Sequence, residues 1–388
     1  RKSIIGKAKE KPQQVKLVWE TLKKIGPIQT YRAINKKLDS YSALGYSSSG
    51  IVIDVGYGVT EFRKGDKVAC AGVGYANHAE IIAVPVNLCV KLETDANLEK
   101  ACYNTLGAIS LQSIRQADLR LGEVCAVIGL GLLGQLTCLQ LRASGVKVIG
   151  IDINVHNVEI AKNNSVDYAY LRNQIGIKES INKITHGNGV DAVIIAAATT
   201  SLDPINFAGS ISRKKGKIVI LGAVPTGFDR EPDFYKKELE VKMACSYGPG
   251  RYDLNYEEKG IDYPFAYVRW TEKRNMEAFQ DLIYNKKIDI DYLTTHKFEL
   301  EDAKKAYDMI VNRNETYLGI VLKYKHEFTP IISFINVKEN HKVGKINIGF
   351  IGAGSYAQSN ILPYIKTDNN ITKVGVLTNT GTTSKRVA

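Results

Sequence analysis

Apolar residues near the start of the chain recur with helical spacing. One stripe predicts a helix over residues 12–25, and a weaker one predicts a second, shorter helix over residues 31–38. From residue 50 the pattern changes to short apolar runs between turn residues, which predicts a compact β-domain. Its strands are expected at residues 51–55, 67–71, 79–84 and 88–92, with a turn at 64–66.

Beyond residue 97, continuous apolar runs alternate with helical stretches. Strands are predicted at residues 124–128, 146–151, 191–196 and 217–221. This alternation is typical of a parallel sheet covered on both faces by helices. After residue 250 it gives way to a helix at 271–284, a strand at 296–298 and a helix at 301–311. A polar stretch at 338–344 is typical of a linker, and a new strand–turn–helix–strand unit begins at residue 345.

The strand at 124–128 leads into a glycine-rich turn and then a helix. Gly129 permits a tight turn, Gly131 lets the backbone approach a pyrophosphate, and Gly134 lets helix and strand pack closely. The residues predicted to bind a dinucleotide here are Gly129, Leu130, Gly131, Leu132, Leu133 and Gly134.

The next strand ends at Asp152, followed by Ile153, where a carboxylate can bind the adenosine ribose. A carboxylate there repels a 2′-phosphate, and residues 153–157 contain no Arg or Lys. We therefore expect NAD(H) to be preferred, with NADP(H) as the alternative. Ala196, Ala197 and Gly222 end two further strands, where they either face the ribose and nicotinamide or form strand-end turns. Tyr247 is also included among the predicted dinucleotide-binding residues.

A second glycine fingerprint, with Gly352, Gly354 and Ala357, again follows a strand and opens a helix. The strand after it, at 373–377, ends without a carboxylate, so the cofactor choice there stays open. The preferred interpretation is that this half-domain binds nothing as it stands.

Composition limits the classes of protein considered. The chain has 388 residues, 44% hydrophobic and 24% charged, which is typical of a folded globular protein with two or three domains. Its apolar runs are too short to span a membrane. The six cysteines form no Cys-x-x-Cys pair, which indicates a reducing cytoplasm.

The net charge of +12 comes mostly from residues 1–45, which carry eleven Lys or Arg and three acidic residues. The positive charges of that segment either attract an anion, such as a nucleotide-activated sugar or an acidic polymer, or lie on a solvated helix face. Nucleic acid is not an expected partner, because aromatic residues do not interleave with the charges.

Several segments resemble the medium-chain dehydrogenase superfamily: residues 45–50, 62–68, the loop at 129–134 and residues 189–193. A narrower resemblance is to bi-domain bacterial oxidoreductases with a C-terminal domain of glucose-fructose oxidoreductase/inositol dehydrogenase type. It rests on residues 7–8 and the helical stretch after them, and on residues 44–46, 127–134, 246–252 and 267–272. The resemblance implies an α/β fold, with a GroES-like β-domain, a doubly wound Rossmann domain and the start of a second Rossmann domain. The implied boundaries are 1–108 (GroES-like), 109–250 (Rossmann), 251–328 (return to the first domain), 329–344 (linker) and 345–388 (partial second Rossmann domain).

Zinc-dependent members of that superfamily carry Gly-His-Glu where this chain has Gly45-Tyr46-Ser47, and a Cys where it has Ala101 or, with a shift of one residue, Cys102. The four-Cys zinc loop is also missing, so no zinc is expected. The resemblance makes Tyr46, Ser47 and Thr105 the candidate catalytic residues. The alternative for Tyr46 is a packing role at a domain cleft. His78 is a further candidate acid or base, but the preferred interpretation is a histidine hydrogen-bonded within a loop.

Arg251, Tyr252, Arg269 and Trp270, with Arg274 nearby, form a cationic and aromatic set suited to a sugar carrying a carboxylate or phosphate. They serve equally well as an interface or a structural cluster.

The resemblance implies a cytoplasmic, homo-oligomeric NAD(H)-dependent oxidoreductase. Its reaction is hydride transfer to or from a secondary alcohol or carbonyl of a sugar-like or nucleotide-sugar substrate, in surface-polysaccharide synthesis. Two other hypotheses stay open: a non-catalytic dinucleotide-binding sensor or assembly subunit, and an anion-polymer binder that uses the basic N-terminal segment.

Overall fold

The computed structural model of the protein describes residues 43–312, 314–325, 346–354, 356–365 and 370–378, and the single residues 23, 26, 27, 30, 384 and 387. The chain divides into two units, Ala43–His326 and a second that combines Arg1–Ser42 with Glu327–Ala388. Apart from single positions, the helices predicted at 12–25 and 31–38 lie outside the described residues, as does the predicted linker.

The strands of the first unit are β1 (Ser47–Ile51), β2 (Lys67–Ala71), β3 (Cys89–Lys91), β4 (Val124–Ile128), β5 (Lys147–Asp152), β6 (Tyr168–Leu171), β7 (Val190–Ile195), β8 (Ser212–Ile220), β9 (Glu240–Met243), β10 (Thr294–Glu299) and β11 (Gly319–Lys323). Its helices are α1 (Leu98–Ala101), α2 (Asn104–Ala117), α3 (Leu132–Ala143), α4 (Val155–Asn164), α5 (Ile177–Ile184), α6 (Asp203–Ile211), α7 (Leu254–Glu257), α8 (Glu272–Tyr284) and α9 (Ala303–Asn312). Short 3₁₀ turns occur at Val86–Leu88, Asp291–Leu293 and Leu300–Asp302, and a π-type turn at Arg230–Phe234.

Six parallel strands form the main sheet, in the order β6-β5-β4-β7-β8-β9. The prediction of an α/β fold with a parallel sheet is therefore confirmed, although β6 and β9 were not predicted. The chain moves outward from β4 in one direction and from β7 in the other. The carboxyl ends of β4 and β7 consequently form a topological switch point, where open α/β sheets bind ligands.

Both faces of this sheet are buried, which explains the continuous apolar runs. In β4, Ala126 and Ile128 pack into one core cluster, while Cys125 and Val127 pack into another on the opposite face. Alternate residues of a strand point to opposite faces, so a strand covered on both sides must be apolar throughout.

A three-stranded antiparallel sheet, β1-β2-β3, precedes the parallel sheet. The strand predicted at 51–55 was misplaced, because the paired strand is the more polar Ser47–Ile51. Two of its serine hydroxyls form hydrogen bonds with residues distant in sequence: Ser47 Oγ donates to the Cys102 carbonyl, and Ser49 Oγ donates to the Leu98 carbonyl. Residues 79–84 form no strand, and their apolar side chains Ile82 and Val84 pack against a small core instead.

Helices α2 and α8 pack against each other in antiparallel orientation. Gln280 donates to the carbonyl of Ala101 and to Asn104 at one end, and Asn275 bonds to Gln112 nearer the other. The predicted helix at 271–284 is confirmed, with the Thr271 hydroxyl accepting from the Arg274 N–H at its start. Strands β10 and β11 form a separate parallel pair.

In the second unit, β12 (Ile346–Ile351) pairs in parallel with β13 (Ile371–Leu377), and the short helix α10 (Leu362–Ile365) lies between them in sequence, after a π-type turn at Ala357–Ile361. The strands predicted here are confirmed, whereas a second Rossmann domain stays a prediction. Across the parts of the chain that the structure describes, no helix is both long and apolar enough to cross a membrane.

Candidate functional site

The three glycines of the loop after β4 have three different environments. Gly129 has φ +97°, and a Cβ there would lie 2.7 Å from the backbone nitrogen of Ala197. A Cβ on Gly134 would lie 1.9 Å from the carbonyl oxygen of Gly129, so helix and loop meet without room for a side chain. A Cβ on Gly131, by contrast, would meet nothing within 4 Å. Gly129 and Gly134 are therefore required by close packing, whereas Gly131 leaves open space before helix α3.

That open space lies at the N-terminus of α3. The first intrahelical bond runs from Gln135 N–H to the Gly131 carbonyl, so the N–H groups of Leu132 and Leu133 precede it. Such N–H groups, reinforced by the helix dipole, form a site for an anion. This loop is suited to hold the pyrophosphate of a dinucleotide.

Asp152 ends β5 directly beside the loop and is buried. Its carboxylate accepts from the backbone N–H of Leu130 at 2.6 Å and of Asn154 at 2.8 Å, and from the Asn157 amide at 3.3 Å. These bonds give Asp152 a structural role in shaping the loop, which sequence reasoning did not anticipate. Ile153, the next residue, is exposed.

The structure brings the ends of β7 and β8 together with the loop. The Ala196 N–H donates to the Ile128 carbonyl at 2.8 Å, and a Cβ on Gly222 would lie 2.0 Å from the Ala197 carbonyl oxygen. Gly129, Ala196, Ala197 and Gly222 thus line one carboxyl edge of the sheet, as predicted for residues that follow neighbouring parallel strands. Their contact with a dinucleotide stays a prediction.

Ser47 and Thr105 are hydrogen-bonded to each other at the start of α2. The Ser47 hydroxyl donates to the Cys102 carbonyl at 2.6 Å and accepts from the Thr105 N–H at 3.1 Å, while the Thr105 hydroxyl donates to the Tyr46 carbonyl at 2.9 Å. Both hydroxyl protons are therefore committed to backbone carbonyls, and Thr105 is fully buried. Their geometry indicates that they position this segment.

Tyr46 is the exposed member of the predicted catalytic set. Its side chain keeps 40% of its accessible surface, and partial burial raises the pKa of its phenol. The start of α2 and the start of α3 share one apolar cluster, to which Cys102, Leu106 and Leu132 contribute. The two helix starts are therefore close to each other, and the Tyr46 carbonyl is hydrogen-bonded to Thr105 in the first of them.

His78 lies against the same segment. Two of its ring atoms would be 2.8 Å from a Cβ on Gly45. Its backbone N–H donates to the Leu44 carbonyl, and its ring Nε2 is 2.9 Å from the Tyr307 hydroxyl. Burial lowers the pKa of this imidazole, so it is neutral at physiological pH. Its spatial proximity to Tyr46 could not be read from the sequence, because the two residues lie on different loops.

A zinc ligand set is not assembled around Tyr46. Nowhere in the described ranges do three His, Cys, Asp or Glu side chains converge on a common point. The Cys102 thiol donates to the Glu99 carbonyl, and burial raises the pKa of this thiol to about 12. Among the described residues, no tetrahedral ligand set is therefore assembled in advance of a metal.

Tyr247 and Arg251 have interior positions. Tyr247 is 2% exposed in a core cluster with Ala71, Leu88 and Met276, and none of its described contacts involves the glycine loop. Arg251 forms an ion pair with the buried Glu257, and its guanidinium also stacks on the exposed Tyr252 ring. Tyr247 is buried four residues after β9 ends, so its contact with a dinucleotide stays a prediction, and the Arg251 charge is already neutralised by Glu257.

Arg269 and Trp270 lie at the far end of α2 from Thr105, where Trp270 contacts Arg115. Thr105 and Arg115 are ten positions apart, which corresponds to about 15 Å of helix. The structure thus separates this part of the predicted substrate set from the Tyr46 segment. Arg115 was missed by sequence reasoning, because only the packing of α2 against α8 brings it to Trp270.

Comparison with known proteins relates the chain to a family of dehydrogenases. Residues 133–258 match the family described as zinc-binding dehydrogenase. D-guloside 3-dehydrogenase of Shigella flexneri is 27% identical over 283 residues, which cover 70% of this chain and 74% of that protein. D-xylulose reductase A of Aspergillus oryzae is 24% identical over 298 residues, which cover 68% and 76%.

The fold is also similar to that of solved dehydrogenases. Alcohol dehydrogenase TADH from Thermus sp. ATN1 superposes with a TM-score of 0.59 at 19% identity, over 73% of this chain and 84% of that chain. At this identity the likeness concerns the fold alone. The sequence and fold comparisons together agree with the coarser resemblance, that to medium-chain, zinc-type alcohol dehydrogenases.

The family match corrects the cofactor expectation. We had expected no zinc, because Tyr46 and Ser47 stand in place of His and Glu, but the matched family is one of zinc-binding dehydrogenases. Zinc is therefore a candidate ligand of this chain. The preference for NAD(H) is likewise replaced by the broader expectation of NAD(H) or NADP(H).

Proposed function

We propose that this relative of the medium-chain, zinc-type alcohol dehydrogenases is an NAD(P)(H)-dependent oxidoreductase that acts on a secondary alcohol or carbonyl of a sugar-like substrate. The observation that carries the proposal is the open space over Gly131. It lies before the N-terminus of α3 and at the topological switch point, where a dinucleotide pyrophosphate fits.

In this proposal the N–H groups of Leu132 and Leu133 bind the pyrophosphate, and Asp152 both shapes the loop and approaches the adenosine ribose. Ala196, Ala197 and Gly222 lie along the edge toward the nicotinamide. When bound, the dinucleotide accepts or donates the hydride. The chain itself binds and orients the reactants and manages the proton.

Tyr46 is the residue proposed to hold that proton. Because burial raises the pKa of its phenol, Tyr46 is protonated at neutral pH and donates a hydrogen bond from its Oη to a substrate oxygen. During carbonyl reduction the proton passes from this Oη to the developing alkoxide. Ser47 and Thr105 keep the Tyr46 backbone in place through their bonds to Cys102 and to the Tyr46 carbonyl.

The substrate class rests on the relatives. Two of them are named for a guloside and for xylulose, which favours a sugar or polyol hydroxyl over a simple alcohol. A nucleotide-sugar substrate, a place in surface-polysaccharide synthesis and a homo-oligomeric assembly form the finer part of the proposal, and they rest on the resemblance of residues 246–252 and 267–272.

The first test compares dinucleotide binding by the wild-type chain and by Gly131→Val. Because a Cβ at this position would meet nothing within 4 Å, we expect the variant to fold. Because the new side chain occupies the space before α3, we expect the variant to lose most of its affinity for NADH and NADPH, followed by nicotinamide fluorescence. The matched control is Gly50→Val in β1, where a Cβ would likewise meet nothing within 4 Å. Equal binding by wild type and Gly131→Val would contradict the proposed site.

The second test measures turnover with a panel of sugars, polyols and nucleotide sugars, with and without added Zn²⁺. We expect Tyr46→Phe to reduce kcat by about 10²-fold or more, the range for loss of a general acid. Dinucleotide affinity should be unchanged in this variant, and Tyr57→Phe, at a fully exposed tyrosine, should retain activity. Binding of the dinucleotide without turnover of any substrate would favour the non-catalytic sensor instead.

A further inference from the structure

Trp270 lies between two arginines. The central guanidinium carbon of Arg115 is 3.4 Å from the centroid of the indole ring, and that of Arg269 is 3.9 Å from it. Two guanidinium groups at these distances cannot share one face of the ring without overlapping. They therefore stack on opposite faces, which places one cationic group on each side of a single aromatic plane.

Neither guanidinium is paired with a carboxylate in the described part of the chain. Seven other arginines there form such pairs: Arg120, Arg142, Arg172, Arg213, Arg230, Arg251 and Arg274. The hydrogen bond described for the Arg115 side chain is a long one, 3.5 Å from its Nε to the Asn275 side-chain oxygen. Burial, with a smaller contribution from Arg269, lowers the pKa of Arg115 to about 10. Two like charges are thus held together without a counter-charge from the described residues.

This cluster is distant from the dinucleotide site. It lies at the C-terminal end of α2, where the neighbouring Asp118 forms an ion pair with Lys217 in β8, before the buried run that ends that strand. The glycine loop, by contrast, follows the carboxyl end of β4. Strands β4 and β8 run parallel in one sheet. The arginine cluster therefore lies toward the amino ends of the strands, and the glycine loop lies at their carboxyl ends.

We propose that Arg115, Trp270 and Arg269 form a binding site for a phosphate group, separate from the dinucleotide site. Phosphate has oxygens in several directions and can bond to guanidinium groups above and below one plane. A carboxylate has two oxygens in one plane, which match a single guanidinium. Arg269 is exposed and also contacts the Phe265 ring, so the site is open to solvent on that side.

The ligand is either free phosphate or the phosphate of a sugar ester, since both present the same group. This proposal does not depend on the hydride-transfer function, because none of its three residues belongs to the glycine loop or to the Tyr46 segment.

Tryptophan fluorescence provides a direct test, because the chain contains only Trp19 and Trp270. In Trp19→Phe the remaining signal comes from Trp270, and inorganic phosphate is titrated at constant ionic strength maintained with KCl. We expect a saturable fluorescence change. Arg269→Gln in the same background should weaken phosphate binding about tenfold or more, as loss of one charge-assisted hydrogen bond implies.

The matched control is Arg120→Gln, which removes the same charge from a nearby arginine already paired with Asp118, and should leave phosphate affinity unchanged. Saturating NAD⁺ should also leave it unchanged. A non-saturable response, an equal response in Arg269→Gln, or competition by NAD⁺ would each overturn a separate phosphate site.

Glucose 6-phosphate is titrated alongside inorganic phosphate to separate the two sources. Tighter binding of the ester identifies a sugar phosphate as the ligand, and equal affinity identifies free phosphate. If Trp19→Phe does not fold, thermal unfolding replaces fluorescence. Phosphate should then raise the Tm of the wild type and of Arg120→Gln but not of Arg269→Gln, and equal shifts in all three would overturn the proposal.

Discussion

Glu272 is a carboxylic acid buried at the first position of α8. Its side chain is inaccessible to solvent, and neither carboxyl oxygen has a hydrogen-bond partner among the described residues. Burial, with a smaller contribution from Glu257 and against the opposing charge of Arg251, raises the pKa of this carboxyl to about 9. At neutral pH the folded protein therefore holds a proton that the unfolded chain, with an ordinary glutamate, releases.

This proton makes stability depend on pH in a defined direction. The pKa of Glu272 is higher in the folded than in the unfolded state. The contribution of its bound proton to the stability of the folded state is therefore complete below about pH 4.5 and is lost as pH rises toward 9. We expect the free energy of unfolding of the wild type to fall over this window by up to about 1.4 kcal/mol per pH unit from this group. Glu272→Gln, which carries a neutral amide, should show a flatter profile.

Urea denaturation at pH 5, 6, 7 and 8 measures both profiles, and the exposed Glu159→Gln is the control. Parallel profiles for the wild type and Glu272→Gln would mean that the carboxyl is ionised in the folded protein.

At the scale of elements, the contact between α2 and α8 depends on one glycine. A Cβ on Gly107 would lie 2.2 Å from Cγ of the fully buried Phe279. The ring cannot withdraw, because it packs in a cluster with Tyr103, Leu136 and Leu293. We therefore expect Gly107→Ala to destabilise the protein by about 1–3 kcal/mol, the usual cost of overpacking a core, as measured by chemical denaturation.

Gly50→Ala is the control for this prediction, since its Cβ would meet nothing within 4 Å. A double-mutant cycle with Phe279→Leu adds a second criterion: the smaller side chain should recover part of the loss caused by Gly107→Ala. Strict additivity of the two substitutions would mean that the helices do not meet at these residues.

The elements that were predicted from the sequence are those specified by local pattern. Strand β4 and its glycine loop were located because a doubly covered strand is apolar throughout and because Gly129 and Gly134 have no room for a side chain. Strand β1 was misplaced because its serines are stabilised by the carbonyls of Cys102 and Leu98, distant partners that no local pattern reveals. The contact of Arg115 with Trp270 was missed for the same reason.

At the scale of the whole molecule, the six free cysteines differ in how deeply they are buried. Cys245 is exposed, whereas Cys70, Cys89, Cys125 and Cys138 are buried and Cys102 is partly buried. We expect one thiol per chain to react rapidly with a disulfide reagent under native conditions, and the other five to react only when the structure opens. Cys245→Ser should remove the rapid phase, and a second rapid thiol would contradict the described burial.

The slower thiols distinguish cooperative from independent opening of the two sheets. Cys70 and Cys89 face each other across β2 and β3, while Cys125 and Cys138 lie in the parallel sheet and in α3. Helix α2 contacts β1 and β2 on one side and β7, β8 and β9 on the other, so neither sheet can open without exposing part of this helix. We therefore expect peptide mapping to show one common labelling rate for these four cysteines. Earlier labelling of Cys70 and Cys89 would instead mean that the antiparallel sheet opens while the parallel sheet stays folded.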